Sequence, residues 1–204
     1  MIERSQSRSW KRGSGVPRCS VMSTDITPSA VVAFWKEAGP AKWFAKDDAF
    51  DSRFRRGFGD AHFAAARREL DHWAETPEGS LALLILLDQF PRNVFRGTGH
   101  AFATDPLGRM FAGRALEAGH DLQVEGDIRR FFYLPLQHSE NLADQERQVE
   151  LFQTRMDRKP DDRWAEHHHG VIARFGRFPH RNRALGRETT PDEQVFLDED
   201  GFKG

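Results

Sequence analysis

An all-α fold is predicted by three observations in this 204-residue chain. Phe50, Phe54 and Phe58 lie four apart and so share one face of a helix. Proline follows Thr or Asp at Thr27-Pro28, Thr76-Pro77, Asp105-Pro106 and Thr190-Pro191, the pattern of a helix start with Pro in the first turn. No stretch alternates apolar and polar residues between hairpin turns as a strand would.

The elements follow in order. Thr27 caps a first helix with the apolar stripe Val31, Val32, Phe34 and Trp35, closed by Gly39-Pro40. A second helix starts near Asp47, is weakened by Gly57 and Gly59, and continues through Ala61 to Leu70 and Trp73. After Thr76-Pro77, the run Leu81 to Leu87 is apolar on every side, so this helix belongs at the buried centre, with Pro91 ending it. Asp105-Pro106 opens a helix that Gly119 closes. A helical stretch follows Gly126, interrupted at Pro135, and Ser139 or Asn141 begins the next helix, carrying Leu142, Val149, Leu151 and Phe152. A further helix spans roughly Asp161 to Phe175 and stops at Gly176. Thr190-Pro191-Asp192-Glu193 reads as a capping box that starts the last one.

Length suits one domain with a real core. Hydrophobic residues make up only 38% of the chain, but 17 Phe and 5 Trp supply bulky side chains that exclude water. A net charge of −1 argues against a general nucleic-acid binder, and no run approaches the roughly 18 apolar residues of a membrane span. Cys19 is the sole cysteine, so no internal disulfide forms. With no apolar secretory signal, a cytoplasmic location is expected. Residues 1–24 are expected to be a disordered basic segment: Arg4, Arg8, Lys11, Arg12 and Arg18 face one acid, Glu3. This composition matches a transit peptide, and equally a gene start placed too early, with Met22 as the ordinary N-terminus. Residues 25–200 then form a single all-α domain.

Three polar segments carry the candidate chemistry: Leu87 to Arg96, Phe132 to Glu140, and Arg174 to Asn182. Each sits at a helix end marked by Pro or Gly and mixes aromatic rings with charges, the composition of a pocket lining. In these segments the chain resembles a bacterial family known as domain of unknown function 924. The resemblance rests on Trp43-Phe44, Asp51, the segment from Leu81-Ala82 to Arg96, Phe102, Asp105, Phe132 to Glu140, Gln145, His168, Arg174 to Arg187, Thr190 and Glu193. It covers roughly residues 30 to 197, and departs at Gln137, where an apolar residue such as Met is expected. The resemblance implies a compact tetratricopeptide-like superhelix of stacked antiparallel helix pairs, and no substrate.

Arg92, Arg96, Arg177, Arg181 and Arg187 are candidates to bind a small anionic molecule, since guanidinium forks grip carboxylates and phosphates. His180 and Asn182 belong to the same ligand-binding group. These arginines equally suit pairing with Asp88, Asp105 and Glu140 to pin loops. For proton transfer the candidates are His138, Glu140 and Asp88. Asp88 follows seven apolar residues, so burial raises its pKa unless an arginine pairs with it. His167, His168 and His169 point about 100° apart on a helix and do not chelate one ion together, so no metal is expected. A site composed of His138, Glu140, His168 and His180 has no support from spacing. No phosphate-binding Gly loop or nucleophile elbow is present, and the cofactor is unknown. The expected function is a pocket for a small anionic ligand, with hydrolase or transferase chemistry open. The alternative is an interaction module whose groove takes an acidic peptide. Oligomeric state is not legible.

Overall fold

The computed structural model describes residues 26–156 and 163–199. Residues 1–24, assigned above to a basic segment, lie outside the described residues, as do positions 161 and 162. Among the described residues every regular element is helical. The α-helices are α1 (Pro28–Ala38), α2 (Pro40–Trp43), α3 (Asp48–Ala66), α4 (Pro77–Leu84), α5 (Phe90–Val94), α6 (Asp105–Glu117), α7 (Leu134–Gln137), α8 (Leu142–Arg155), α9 (Arg163–Phe175), α10 (Asn182–Leu185) and α11 (Pro191–Glu199). Short 3₁₀ turns join several of them, and none is long and apolar enough to cross a membrane.

Capping chemistry sets the boundaries. Thr27, Asp47, Thr76 and Asn141 each accept a hydrogen bond from a first-turn backbone N–H. Thr190 and Glu193 close the reciprocal capping box of α11, with Thr190 N–H donating to Glu193 Oε2 at 2.8 Å and Glu193 N–H to Thr190 Oγ1 at 3.3 Å. Gly79 is required by space, because a Cβ there would stand 2.0 Å from the Trp73 carbonyl oxygen.

The main core gathers Trp35, Phe50, Phe54 and Phe131 around α4 and the segment that follows it, where Leu81 to Leu87 are at most 1% exposed. Trp43 Nε1 donates to the Trp35 carbonyl at 2.7 Å and locks α2 onto α1. A smaller cluster of Val171, Ile172, Phe178 and Phe196 holds α9 and α11 together. The polar segments lie where these two apolar clusters meet.

Three expectations need correction. α3 runs unbroken through Gly57 and Gly59 and ends at Ala66, well short of Trp73, followed by Arg68 at φ 67°. Pro135 lies in the first turn of α7 and so begins a helix there. Pro91 does not end the central helix either. The chain passes through a wide π turn, Ile85–Gln89, and resumes as α5.

Proline explains that π turn. Pro91 has no N–H, and its ring would crowd the carbonyl four residues back. The Phe90 N–H reaches Ile85 O, a five-residue step, and the following carbonyls take side-chain donors. His62 Nδ1 donates to Leu86 O at 2.8 Å, Thr104 Oγ1 to Leu87 O at 2.5 Å, and Arg92 Nη1 to Asp88 O at 2.8 Å. Because the Thr104 hydroxyl stands in for the missing amide, Thr104→Val will orphan a buried carbonyl and destabilise the fold by about 1–3 kcal/mol in urea titration. Pro91→Ala in that background will restore part of the loss by returning an N–H, and a strictly additive double variant would contradict this account.

Candidate functional site

Asp88 projects from the π turn, and its side chain is 2% exposed. It accepts from His138 Nδ1 at 2.9 and 3.0 Å on its two oxygens, from Gln89 Nε2 at 2.6 Å, and lies 3.0 Å from Arg92 Nη1. Burial acts to raise its pKa, but the Arg92 guanidinium and His138 overcome that and hold it at about 2. Asp88 is therefore ionised, which makes Nδ1 of His138 the donor and leaves the lone pair on Nε2. That Nε2 makes no hydrogen bond to a described residue, and the side chain is 16% exposed. Burial, reinforced by the Arg92 charge, lowers the pKa of His138 and keeps the ring neutral near pH 7.

Asp105, at the start of α6, binds two arginines at once. Arg92 grips it through paired bonds of 2.8 and 3.0 Å, and Arg181 reaches Oδ2 at 3.3 Å. Arg181 also donates to the His138 carbonyl at 3.0 Å. Its guanidinium carbon lies 4.6 Å from the Phe102 ring centre and 4.5 Å from that of Phe178. Burial, then repulsion from Arg92, lowers its pKa to about 10. Arg181 Nε is buried and has no hydrogen-bond partner.

His168 and His180 flank this group from the C-terminal side. The rings of His138 and His168 are 6.3 Å apart, and Phe178 lies 5.5 Å from both His168 and His180. His168 Nδ1 interacts with Trp164 O at 2.6 Å and with Gln137 Nε2 at 3.1 Å. Burial drives the pKa of each down to about 3, with neighbouring positive groups adding to the effect.

Asp88, Arg92, His138, His180 and Arg181 therefore come together, whereas the remaining candidates do not join them. Arg96 pairs with Asp51 at 3.1 Å. Glu140 takes the Arg187 fork at 2.8 Å on both oxygens and the Phe178 N–H at 3.0 Å, so it clamps the C-terminal loop. Burial acts to raise its pKa, but the Arg187 fork and the Phe178 N–H outweigh that and leave it lowered. Arg177 and Asn182 bind Glu193, the capping residue of α11. A surface cleft of about 410 Å³ is lined by Arg174, Phe175, Arg177, Thr190, Asp192 and Glu193, and its lining includes none of Asp88, His138 or Arg181. Among the described residues no group of three or more His, Cys, Asp or Glu is placed to hold a metal ion.

The residue pattern alone points to Asp105 only as a partner for arginines, and to Gln145 only as part of the family resemblance. Gln145 is fully buried, and its Nε2 donates to Gln137 O at 2.6 Å and Ser139 O at 2.7 Å, the carbonyls on either side of His138. A polar residue at a buried helical position of α8 was the available signal.

An all-helical protein with a buried carboxylate–imidazole–guanidinium cluster is thus the class defined by fold and site. The model of the bacterial protein family of unknown function DUF924 matches residues 31–201, and the chain belongs to that family. It is similar to a solved structure of a protein of unknown function, ATU0120, from Agrobacterium tumefaciens, at 56% identity and a TM-score of 0.80. The match covers 84% of this chain and 97% of that one. Comparison with curated proteins finds no match.

Two outcomes follow from these contacts. Asp105→Asn will strand two buried guanidinium groups and cost about 3–5 kcal/mol in urea titration. Because His168 and His180 have folded-state pKa values near 3, below the ordinary 6.5, their contribution is complete above pH 6.5 and is lost as pH falls toward 3. Tm will therefore decline from about pH 6.5 downward, before carboxylates titrate, and His168→Gln will flatten that slope.

Proposed function

We propose that the protein is an enzyme that moves a proton on a small anionic molecule, as a hydrolase or transferase, with His138 as the general base. The observation that carries this reading is the bond from His138 Nδ1 to the buried, ionised Asp88, which leaves the Nε2 lone pair uncommitted. Asp88 fixes the tautomer and stabilises the imidazolium that forms when Nε2 takes a proton. Arg181 supplies the anion contact. Arg96, Arg177 and Arg187 are committed to carboxylates; Arg181 also touches Asp105, through Nη1, but keeps an unspent Nε–H beside the His138 turn. Glu140 is excluded from proton transfer in this reading by its fork with Arg187.

What favours an enzyme over a module that binds an acidic peptide is the gathering of these groups around one turn. A peptide groove would distribute them along its length. Screening small carboxylates and phosphate esters by thermal shift tests the reading. At least one is expected to raise the wild-type Tm, and Arg181→Met and Arg181→Lys are both expected to abolish that shift. His138→Gln is expected to retain binding and to lose at least about 100-fold in turnover of the compound found. Absence of any stabilising anion, or a shift that survives both Arg181 variants, would defeat it.

A further inference from the structure

We infer that His138 Nε2 is also a nucleophile, one that takes a phosphoryl group from a small acyl phosphate and forms a phosphohistidine. This rests on the reading of the Asp88–His138 pair above and names a substrate class for the same site.

The reactive nitrogen is reachable and the rest of the residue is held. Nε2 bonds to no described residue and, unlike Trp35 Nε1, is not sealed away from solvent. The exposed 16% of the side chain therefore includes the lone pair. The opposite nitrogen is fixed by Asp88 at 2.9 and 3.0 Å. Arg181 donates to the His138 carbonyl at 3.0 Å, and Gln145 Nε2 bonds the carbonyls on either side of it. A carboxylate on Nδ1–H orients such a ring and makes the other nitrogen a better donor of electrons.

The surrounding charges favour phosphorus over a proton. Arg92 stands 3.0 Å from Asp88, and its charge disfavours the imidazolium form of His138. A proton adds one more cation to that field. A phosphoryl group instead brings about −1.5 to −2 charges and three acceptor oxygens, which the guanidinium attracts. Asp88 offsets the positive ring in either case.

The leaving group follows from the neighbours. Among the described carboxyl and imidazole groups beside His138, none holds a proton ready near pH 7. Asp88 stays near 2, Glu140 is lowered in its Arg187 fork, and His168 and His180 stay near 3. An alcohol leaving from an ordinary phosphate ester needs such a proton, whereas the carboxylate of an acyl phosphate departs without one. In the first step Nε2 forms the N–P bond while the P–O bond to the acyl group breaks, and the carboxylate leaves with that electron pair. Nδ1 keeps its proton, so the ring becomes a cation paired with Asp88. Water then attacks phosphorus, the N–P bond breaks, Nε2 regains its pair, and both protons of the water leave on the phosphate.

The full chain incubated with acetyl phosphate tests this. Mass-spectrometric mapping at alkaline pH is expected to find phosphate on His138, lost in acid and stable in alkali. His138→Gln is expected to abolish the label, and Asp88→Asn to slow it at least about 10-fold. Because changes at a buried pair can disturb the fold, the wild type unfolded in urea is the second reference. His138 is expected to label at least about 10-fold faster in the folded chain than in the unfolded one. No label on His138, equal rates in the two states, or label spread evenly over the other histidines overturns the inference. An unlabelled His138 together with an anion shift that depends on Arg181 removes the nucleophile and leaves the general-base reading standing. Labelling of His138 without any stabilising anion does the reverse.

Discussion

The carboxylate of Asp105, shared between Arg92 and Arg181, is the joint on which the rest of the structure depends. Arg92 comes from the central helical run and Arg181 from the loop that follows α9, so one side chain ties the main core to the smaller C-terminal cluster. Ionic contacts in a dry seam are costly to desolvate and persist when each charge has a partner in good geometry. Here the fork from Arg92, the second contact from Arg181 and the rings of Phe102 and Phe178 meet that condition. His138 stands beside this joint, its carbonyl bonded to Arg181.

The central helix reaches the seam by an irregular route. An α-helical path through Pro91 would leave a carbonyl without a donor and press the ring against it. The π turn relieves both problems, and the cost is that His62, Thr104 and Arg92 must satisfy its carbonyls from outside. His62 in turn has its other nitrogen 3.2 Å from His100, so a partly buried imidazole pair supports the turn from behind. Asp88 sits in this wide turn, and its orientation toward His138 depends on backbone contacts rather than on its own rotamer alone. Single-turn π segments of this kind recur at functional sites.

Electrostatics in the seam are close to balanced. Asp88 and Asp105 face Arg92 and Arg181, and three imidazoles stay neutral because burial and the nearby guanidinium groups disfavour their protonation. Among the groups that the described residues leave unspent are His138 Nε2 and Arg181 Nε, on which the functional proposal rests.

Most helix starts and the central apolar run are legible in the order of residues, whereas the path through Pro91 and the end of α3 are not. The caps Thr27, Thr76, Asn141 and Thr190, the Phe50-Phe54-Phe58 stripe and the wholly apolar run Leu81 to Leu87 all act within a turn or two of themselves, so their patterns are legible without coordinates. The sequence also marked Asp88, His138 and Arg181 as polar groups in apolar surroundings. Tertiary structure decided which charge meets which. Arg92 and Arg96 are one turn apart, yet one binds Asp105 and the other Asp51, and Glu140 binds Arg187 across 47 positions, away from His138 two residues before it. Ion pairs depend on distances between remote segments and on exclusion of water, and neither quantity is written in the order of residues.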